Sequence, residues 1–235
     1  MIPFLGMTFV RTLFFLLIAS SLTALEYHSQ VGQDQYVNDH FFHNMREGIF
    51  VDIGAYDGVT GSNSLFFEKE LGWSGICVEP VPHFFQKLEK SRSCTCINSC
   101  IGEDGSKDFL WIEGPNEQLS GLLENYSTER KELLDRLAID YHDKHHTIQV
   151  TSVDLMDLLQ KHNLNRIDYL SIDTEGGELE ILQSIDFDQV EIRVIDVENN
   201  RDDPAFSVYL ATRGYKKVAR LVVDDIYIKI QENRQ

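Results

Sequence analysis

The run Ile49-Phe50-Val51-Asp52-Ile53-Gly54-Ala55-Tyr56-Asp57-Gly58 constrains this chain more than any other stretch. Four apolar residues around one acid read as a buried strand, and the glycines behind it force a sharp turn. Gly54 and Gly58 lack a Cβ, so backbone there can come close to a ligand or another segment. Thr60 and Ser62 offer caps for a helix carrying Leu65, Phe66, Phe67 and Leu71. Strand, glycine turn and helix form the opening unit of an α/β nucleotide-binding sheet. A second strand, Gly75-Ile76-Cys77-Val78, follows about 20 residues on and ends at Glu79-Pro80. An acid at that place can accept both ribose hydroxyls of a nucleoside.

Two cofactors fit this pattern, NAD and S-adenosylmethionine (SAM). The dinucleotide fingerprint needs a glycine where Tyr56 stands. Asp52 closes the strand with a carboxylate, which repels a pyrophosphate and suits the ammonium of a methionine moiety. The residues therefore favour SAM.

Three segments together resemble the FkbM-type methyltransferases: Val51 to Gly58, Val78-Glu79-Pro80, and the block from Ile167 to Glu180 that contains Asp173-Thr174-Glu175-Gly176-Gly177-Glu178. Ser29 to Asp34, Leu119 to Asn125 and Asp225 to Ile228 are similar to one branch of that family. The resemblance implies a Rossmann-like class I methyltransferase fold, with a mostly parallel seven-stranded sheet ending in an antiparallel hairpin. It also implies SAM-dependent O-methyl transfer. By the same resemblance, Asp52, Gly54, Tyr56, Asp57 and Gly58 hold the methionine end of the cofactor. Glu79 takes the ribose, and Ser99 and Ile101 flank adenine.

Further strands are expected from Cys94 to Ile101, in a small pair within 103–113, and at Ile148 to Val150, Ile167 to Ile172 and Ile192 to Val197. The short connection between Tyr215 to Val222 and Ile226 to Ile230 predicts a terminal hairpin. Helices are expected from Pro82, over Ser127 to Tyr141 with Leu133, Leu134 and Leu137 inward, over Asp154 to His162, and through Leu179, Ile181 and Leu182.

Ligands of such sheets bind beyond the carboxyl ends of the strands, so the strand-end acids are the candidate chemistry. Asp173 and Glu175 are the candidate catalytic pair, with Asp173 orienting an acceptor hydroxyl and taking its proton. Glu178 is read instead as an acid favouring a helix N-terminus. Asp173, Glu198 and Asn199 form a candidate oxygen-ligand set for Mg²⁺. Gln30, Gln33 and Asp34 precede the first strand and are substrate or lid candidates. His142, His145 and His146 share a helical face in a very polar segment and read as a solvated helix end. Cys94, Cys96 and Cys100 share a parity, which on one strand turns them to one side as buried apolar groups.

The chain divides into residues 1–25, a signal peptide or N-terminal membrane anchor, and one domain over residues 26–235. Arg11 precedes an apolar run and then small residues, the layout of a leader. The lone basic residue ahead of that run places the domain on the exported, lumenal or membrane-associated side, whereas SAM is made in the cytosol. The formal charge of −17 argues against a nucleic-acid partner, which needs a basic surface. The expected acceptor is a hydroxyl of a sugar or glycoconjugate. A small-molecule or lipid-linked hydroxyl is the second expectation, and a catalytically silent domain used in protein interaction or trafficking is the third.

Overall fold

A computed structural model describes residues 25–230. The leader expected over residues 1–25 lies, all but Leu25, outside the described residues. Among those described, no helix is long and apolar enough to cross a membrane.

The main sheet is built from β1 (Ile49–Ile53), β2 (Ser74–Val78), β3 (Thr95–Ile97), β8 (Arg166–Ile172), β9 (Glu191–Glu198), β10 (Tyr215–Leu221) and β11 (Asp224–Lys229). Its order is β10-β11-β9-β8-β1-β2-β3. β3, β2, β1, β8 and β9 run parallel, and β11 is antiparallel to both β9 and β10. This is the expected seven-stranded sheet with its closing hairpin. Strand order reverses between β1 and β8, so their carboxyl ends diverge into a crevice.

Burial on both faces explains why the central strands are mostly apolar. Val51, Ile53, Leu170, Ile172, Ile195 and Val197 pack on one side against α5 (Leu155–Lys161), α6 (Glu178–Ser184) and α7 (Pro204–Thr212). On the other side Phe50, Cys77, Tyr169 and Val194 meet Val37 of α1 (Gln33–Val37), Phe66, Phe67 and Leu71 of α2 (Leu65–Leu71), and Leu88 of α3 (Pro82–Ser91). A π-helical turn, Asn38–Phe42, extends α1. Ser62, expected as a cap, does accept from Leu65 N at 3.2 Å, although it stands two residues ahead of the formal cap Ser64.

Several local elements differ from expectation. The single strand from Cys94 to Ile101 is two, β3 and β4 (Cys100–Ile101), in different sheets. Asn98 breaks it by donating to the carbonyls of Glu79 and Pro80 at 2.9 and 3.0 Å. Cys100 therefore leaves the face shared by its neighbours; all four cysteines are free thiols, with Cys94 Sγ 3.5 Å from Cys77 Sγ. The pair expected within 103–113 is one long strand, β5 (Gly105–Glu113), antiparallel to a ten-residue β7 (Lys144–Val153). With β4 and β6 (Gly121–Leu122) they form a second, four-stranded sheet.

The histidines do not share a helical face. α4 (Thr128–Tyr141) ends at His142, which is left-handed at φ 59°, and β7 begins two residues later. His145 and His146 then point to opposite sides of β7. His146 stacks on Trp111 at 4.8 Å and its Nε2 lies 3.0 Å from Glu113. On α4 only Leu134 is fully buried, while Leu133 is exposed. The helix α7 was not expected, although Asp203 caps it through Ala205 N at 2.9 Å and Pro204 opens it.

Candidate active site

The carboxyl ends of β1, β2 and β8 are tied together before any side chain takes part. Gly54 N and Ala55 N both donate to Val78 O at 3.0 Å, and Asp173 N donates to Ile53 O at 3.0 Å. Gly54 has φ 89°, and a Cβ there would stand 1.7 Å from the carbonyl oxygen of Asp173. Only glycine fits, because the chain itself comes that close. Beyond these ends opens a cavity of about 680 Å³, within the range of small-molecule sites.

Asp52, Gly54, Tyr56, Glu79, Ser99, Ile101, Asp173, Glu175, Glu198 and Gln30 line this cavity. The structure thus brings together residues from six separate segments. Asp57 and Gly58 do not line it. Asp57 closes its own turn, accepting from Val59 N at 2.9 Å and Thr60 N at 2.7 Å. Gly58 faces Leu88, Ser91 and Arg92, which leave no room for a Cβ. Both shape the loop from behind rather than touching what enters it.

Glu79 accepts Val81 N at 2.7 Å on one carboxylate oxygen and Tyr56 N at 3.0 Å on the other. Each oxygen keeps a lone pair for a hydroxyl in the cavity. Burial pushes its pKa up to about 8, against those two bonds, and Asp52 adds to the rise. The Tyr56 ring packs on Phe84 at 4.5 Å, and its hydroxyl donates to Glu117.

Asp52 accepts a hydrogen bond from Ser64 Oγ. Burial raises its pKa, and Arg92 opposes that rise. Sequence reasoning missed Arg92. Its side chain is fully buried, with Nε 2.5 Å from Glu68, Nη1 on Gly58 O and Ser62 Oγ at 3.2 and 3.3 Å, and Nη2 on Ser64 Oγ at 3.0 Å. One guanidinium thus fixes the loop between β1 and α2 and orients the hydroxyl that holds Asp52. No motif marks it, since every partner is distant in sequence.

Asp173 follows the last residue of β8 and lines the cavity. Burial raises its pKa well above the usual carboxylate range, and the charges of Glu198, Asp224, Glu178 and Asp52 add to this. Glu175 occupies a left-handed turn at φ 59° and pairs with Arg130 of α4. Burial and then Asp173 push Glu175 up to about 8, while Arg130 pulls it down. Glu198 rises to about 8 through burial, Glu175 and Glu178. Glu178 is spent on structure: it accepts from Thr174 N, Thr174 Oγ1 and Gly176 N at 3.2, 2.9 and 2.7 Å. Asn199, expected beside Glu198 as a ligand, is turned away. Its amide donates to Asp203 O at 3.1 Å and Asp225 Oδ2 at 2.9 Å, and its oxygen accepts Asp203 N at 2.8 Å. Glu175 comes into that group in its place.

Of the three arm candidates, only Gln30 lines the cavity, with its amide 3.4 Å from Gln118 across the mouth. Gln33 and Asp34 are buried away from it. Gln33 donates to Asp224, and Asp34 accepts His28 N at 2.6 Å and Ser29 N at 3.2 Å. They anchor the arm that carries Gln30.

Comparisons with known proteins follow this geometry. Solved structures similar to the chain include the METTL16 MTase domain, at 14% identity and TM-score 0.44 over 85% of this chain and 66% of that one. Others are a human methyltransferase 10 domain containing protein (15%, 0.43, 85% and 80%) and M. capricolum TrmK with S-adenosyl-homocysteine (12%, 0.41, 86% and 68%). The chain spans just under two thirds of the METTL16 domain. No curated protein matches the sequence. The family described as Methyltransferase FkbM domain matches residues 52–217, from the acid that ends β1 to the middle of β10. The chain belongs to the FkbM methyltransferase family.

Proposed function

We propose that this domain is a SAM-dependent O-methyltransferase whose acceptor is a neutral hydroxyl, that of a sugar or glycoconjugate. The observation that carries the reading is that one cavity gathers acids from three adjacent strands. Glu79 follows β2, suited to a ribose diol, Asp173 follows β8 on the other side of β1, and Asp52 lies on β1 between them, suited to an ammonium.

Bound SAM supplies an electrophilic methyl on a sulfonium. The chain positions the acceptor oxygen in line with that methyl, so that the C–O bond forms as the C–S bond breaks. Asp173 takes the hydroxyl proton. Tyr56, Phe84 and Val81 give the cavity an apolar wall. Among the charged lining residues ten are acids and only Lys107 is basic, which disfavours phosphorylated, sulfated or nucleic-acid acceptors.

Residues 1–25 belong to the same reading, as a leader or anchor that delivers the domain to a lumen supplied with SAM. Mass spectrometry of the natural protein should show a start near Leu22 or Leu25, or membrane association. The enzymatic reading is tested by incubating the protein with methyl-labelled SAM and matched neutral and anionic glycans. Label should enter neutral glycans and need base-stable, ether-type linkage. Absence of SAM binding by calorimetry would leave the domain as a catalytically silent scaffold.

A further inference from the structure

The acceptor end of the cavity holds more carboxyl groups than one general base needs. Oxygens of Asp173, Glu175 and Glu198 all lie within 4.8 Å of one another. They arrive from three separate places. Asp173 is fixed by its N–H on Ile53 O, Glu175 by a left-handed turn, and Glu198 by the pairing of β9 with Asp224 of β11. The backbone therefore sets their approach, and carboxyls held this close either keep protons or share a cation. Arg130 supplies one positive charge, on Glu175 alone. Glu178, occupied with backbone and Thr174, adds a further acid beside the group, and Asn199 faces Asp203 and Asp225 rather than the group.

A second observation is independent of the clustering. Glu198 is only 8% exposed, yet it lines the cavity and its Oε2 has no hydrogen-bond partner among the described residues. Buried carboxylate oxygens in folded proteins are paired, so this one is open to a group that enters the cavity. We propose that Asp173, Glu175 and Glu198 bind one hard divalent cation, of the Mg²⁺ or Mn²⁺ type, on the acceptor side of the cavity.

The donor set selects that class. All three ligands are carboxylates, with neither thiolate nor imidazole, which suits Mg²⁺ and Mn²⁺ over softer metals. Three protein ligands leave an octahedral ion open positions for water and for an acceptor hydroxyl. Its role rests on the methyltransferase reading above: a coordinated hydroxyl is more acidic and more easily held in line. The uncommitted oxygen of Asp173 then takes the proton. The binding itself does not rest on that reading.

The test needs neither donor nor acceptor. The full chain, stripped with chelator and dialysed, is titrated with Mn²⁺ while the free ion is followed by electron paramagnetic resonance. One equivalent should bind saturably and be displaced by Mg²⁺. Asp173→Asn and Glu198→Gln should each weaken binding tenfold or more. Arg130→Gln should tighten it several-fold, because it removes the cation competing for Glu175, whereas damage to the fold would loosen it. Circular dichroism identifies any variant that does not fold, and the remaining ones decide. No saturable Mn²⁺ binding by the wild-type chain overturns the proposal. Unchanged affinity in both folded carboxylate variants overturns the assignment as well. Mn²⁺ binding without SAM binding would sink the methyltransferase reading and leave this site standing; SAM binding without Mn²⁺ binding does the reverse.

Discussion

Replacing Arg92 by alanine removes a fully buried guanidinium that serves the cofactor loop from behind. Four acceptors lose it at once: Glu68, Gly58 O, Ser62 Oγ and Ser64 Oγ. Glu68 keeps the N–H and hydroxyl of Ser93, both at 2.6 Å, so it is not stranded entirely. Its side chain is 8% exposed, however, and the ion pair is buried. Breaking such a pair from one side costs about 3–5 kcal/mol. Domains of this size hold roughly 5–15 kcal/mol in total, so the fold should survive. At roughly 2–4 °C per kcal/mol, the melting temperature should drop by about 10 °C. Ser64 loses the group that orients it toward Asp52, and SAM affinity should fall about tenfold, one hydrogen bond to a charged group. Arg92→Lys keeps the charge but not the planar fork, and should recover less than half of each loss. Urea denaturation and calorimetry with SAM read the two effects. A loss under about 1 kcal/mol with unchanged SAM affinity would show that the network holds nothing in place.

Other substitutions test separate parts of the site. Glu79 has its pKa raised to about 8 by burial, against the usual 4.5, so the folded acid keeps a proton that the unfolded chain releases. Stability should therefore fall as pH rises from about 4.5 to 8, and Glu79→Gln should flatten that slope in denaturation series; an unaltered slope refutes the assignment. Gly54→Ala places a Cβ 1.7 Å from Asp173 O, so it should abolish folded protein or shift β1 from β8, as judged by proteolysis. Asp173→Asn should keep the fold and SAM binding within a few-fold while turnover falls roughly 100-fold; wild-type turnover would move the base to Glu175. Burial lifts the pKa of Asp196 well above the usual range, the charge of Asp224 adds to the rise, and the hydrogen bond from Tyr169 opposes it. Asp196→Asn removes a carboxyl that burial disfavours as a charge and leaves an amide oxygen to accept from Tyr169 OH, so it should cost less than about 1 kcal/mol in urea denaturation.

The central sheet was legible because parallel strands buried on both faces are rich in apolar residues, as Ile167 to Ile172 and Ile192 to Val197 are despite the buried Asp168, Ser171 and Asp196. The second sheet was not. Lys144 to Val153 is half-exposed, and its Lys, His, Thr and Gln residues hide a strand of full length. The strand-end acids Asp52, Glu79 and Asp173 were found because sequence position fixes the edge of the sheet on which a residue stands. It does not fix which way the side chain turns. Asn199 and Glu198 are adjacent in sequence, yet one serves the hairpin and the other the cavity. Gln33 and Gln30 divide in the same way. Arg92 carried no signal because its value lies in contacts 24 to 34 residues away, which only the folded chain brings together.

The anchoring of the arm decides where other things can be attached to this domain. Ser29 bridges Gly61 beside the cavity mouth, and Gln33 grips Asp224 at the carboxyl edge of the sheet. The polypeptide therefore enters the domain on the same rim through which ligands must pass. It leaves by the opposite rim, since β11 runs back from Asp224 to Lys229 and Ile230 N is held by Gly214 O at 2.8 Å. A tag, a fusion partner or a surface joined ahead of Leu25 is tethered within reach of incoming acceptors and can obstruct or select them. Cargo joined after Ile230 stands across the thickness of the molecule from that traffic.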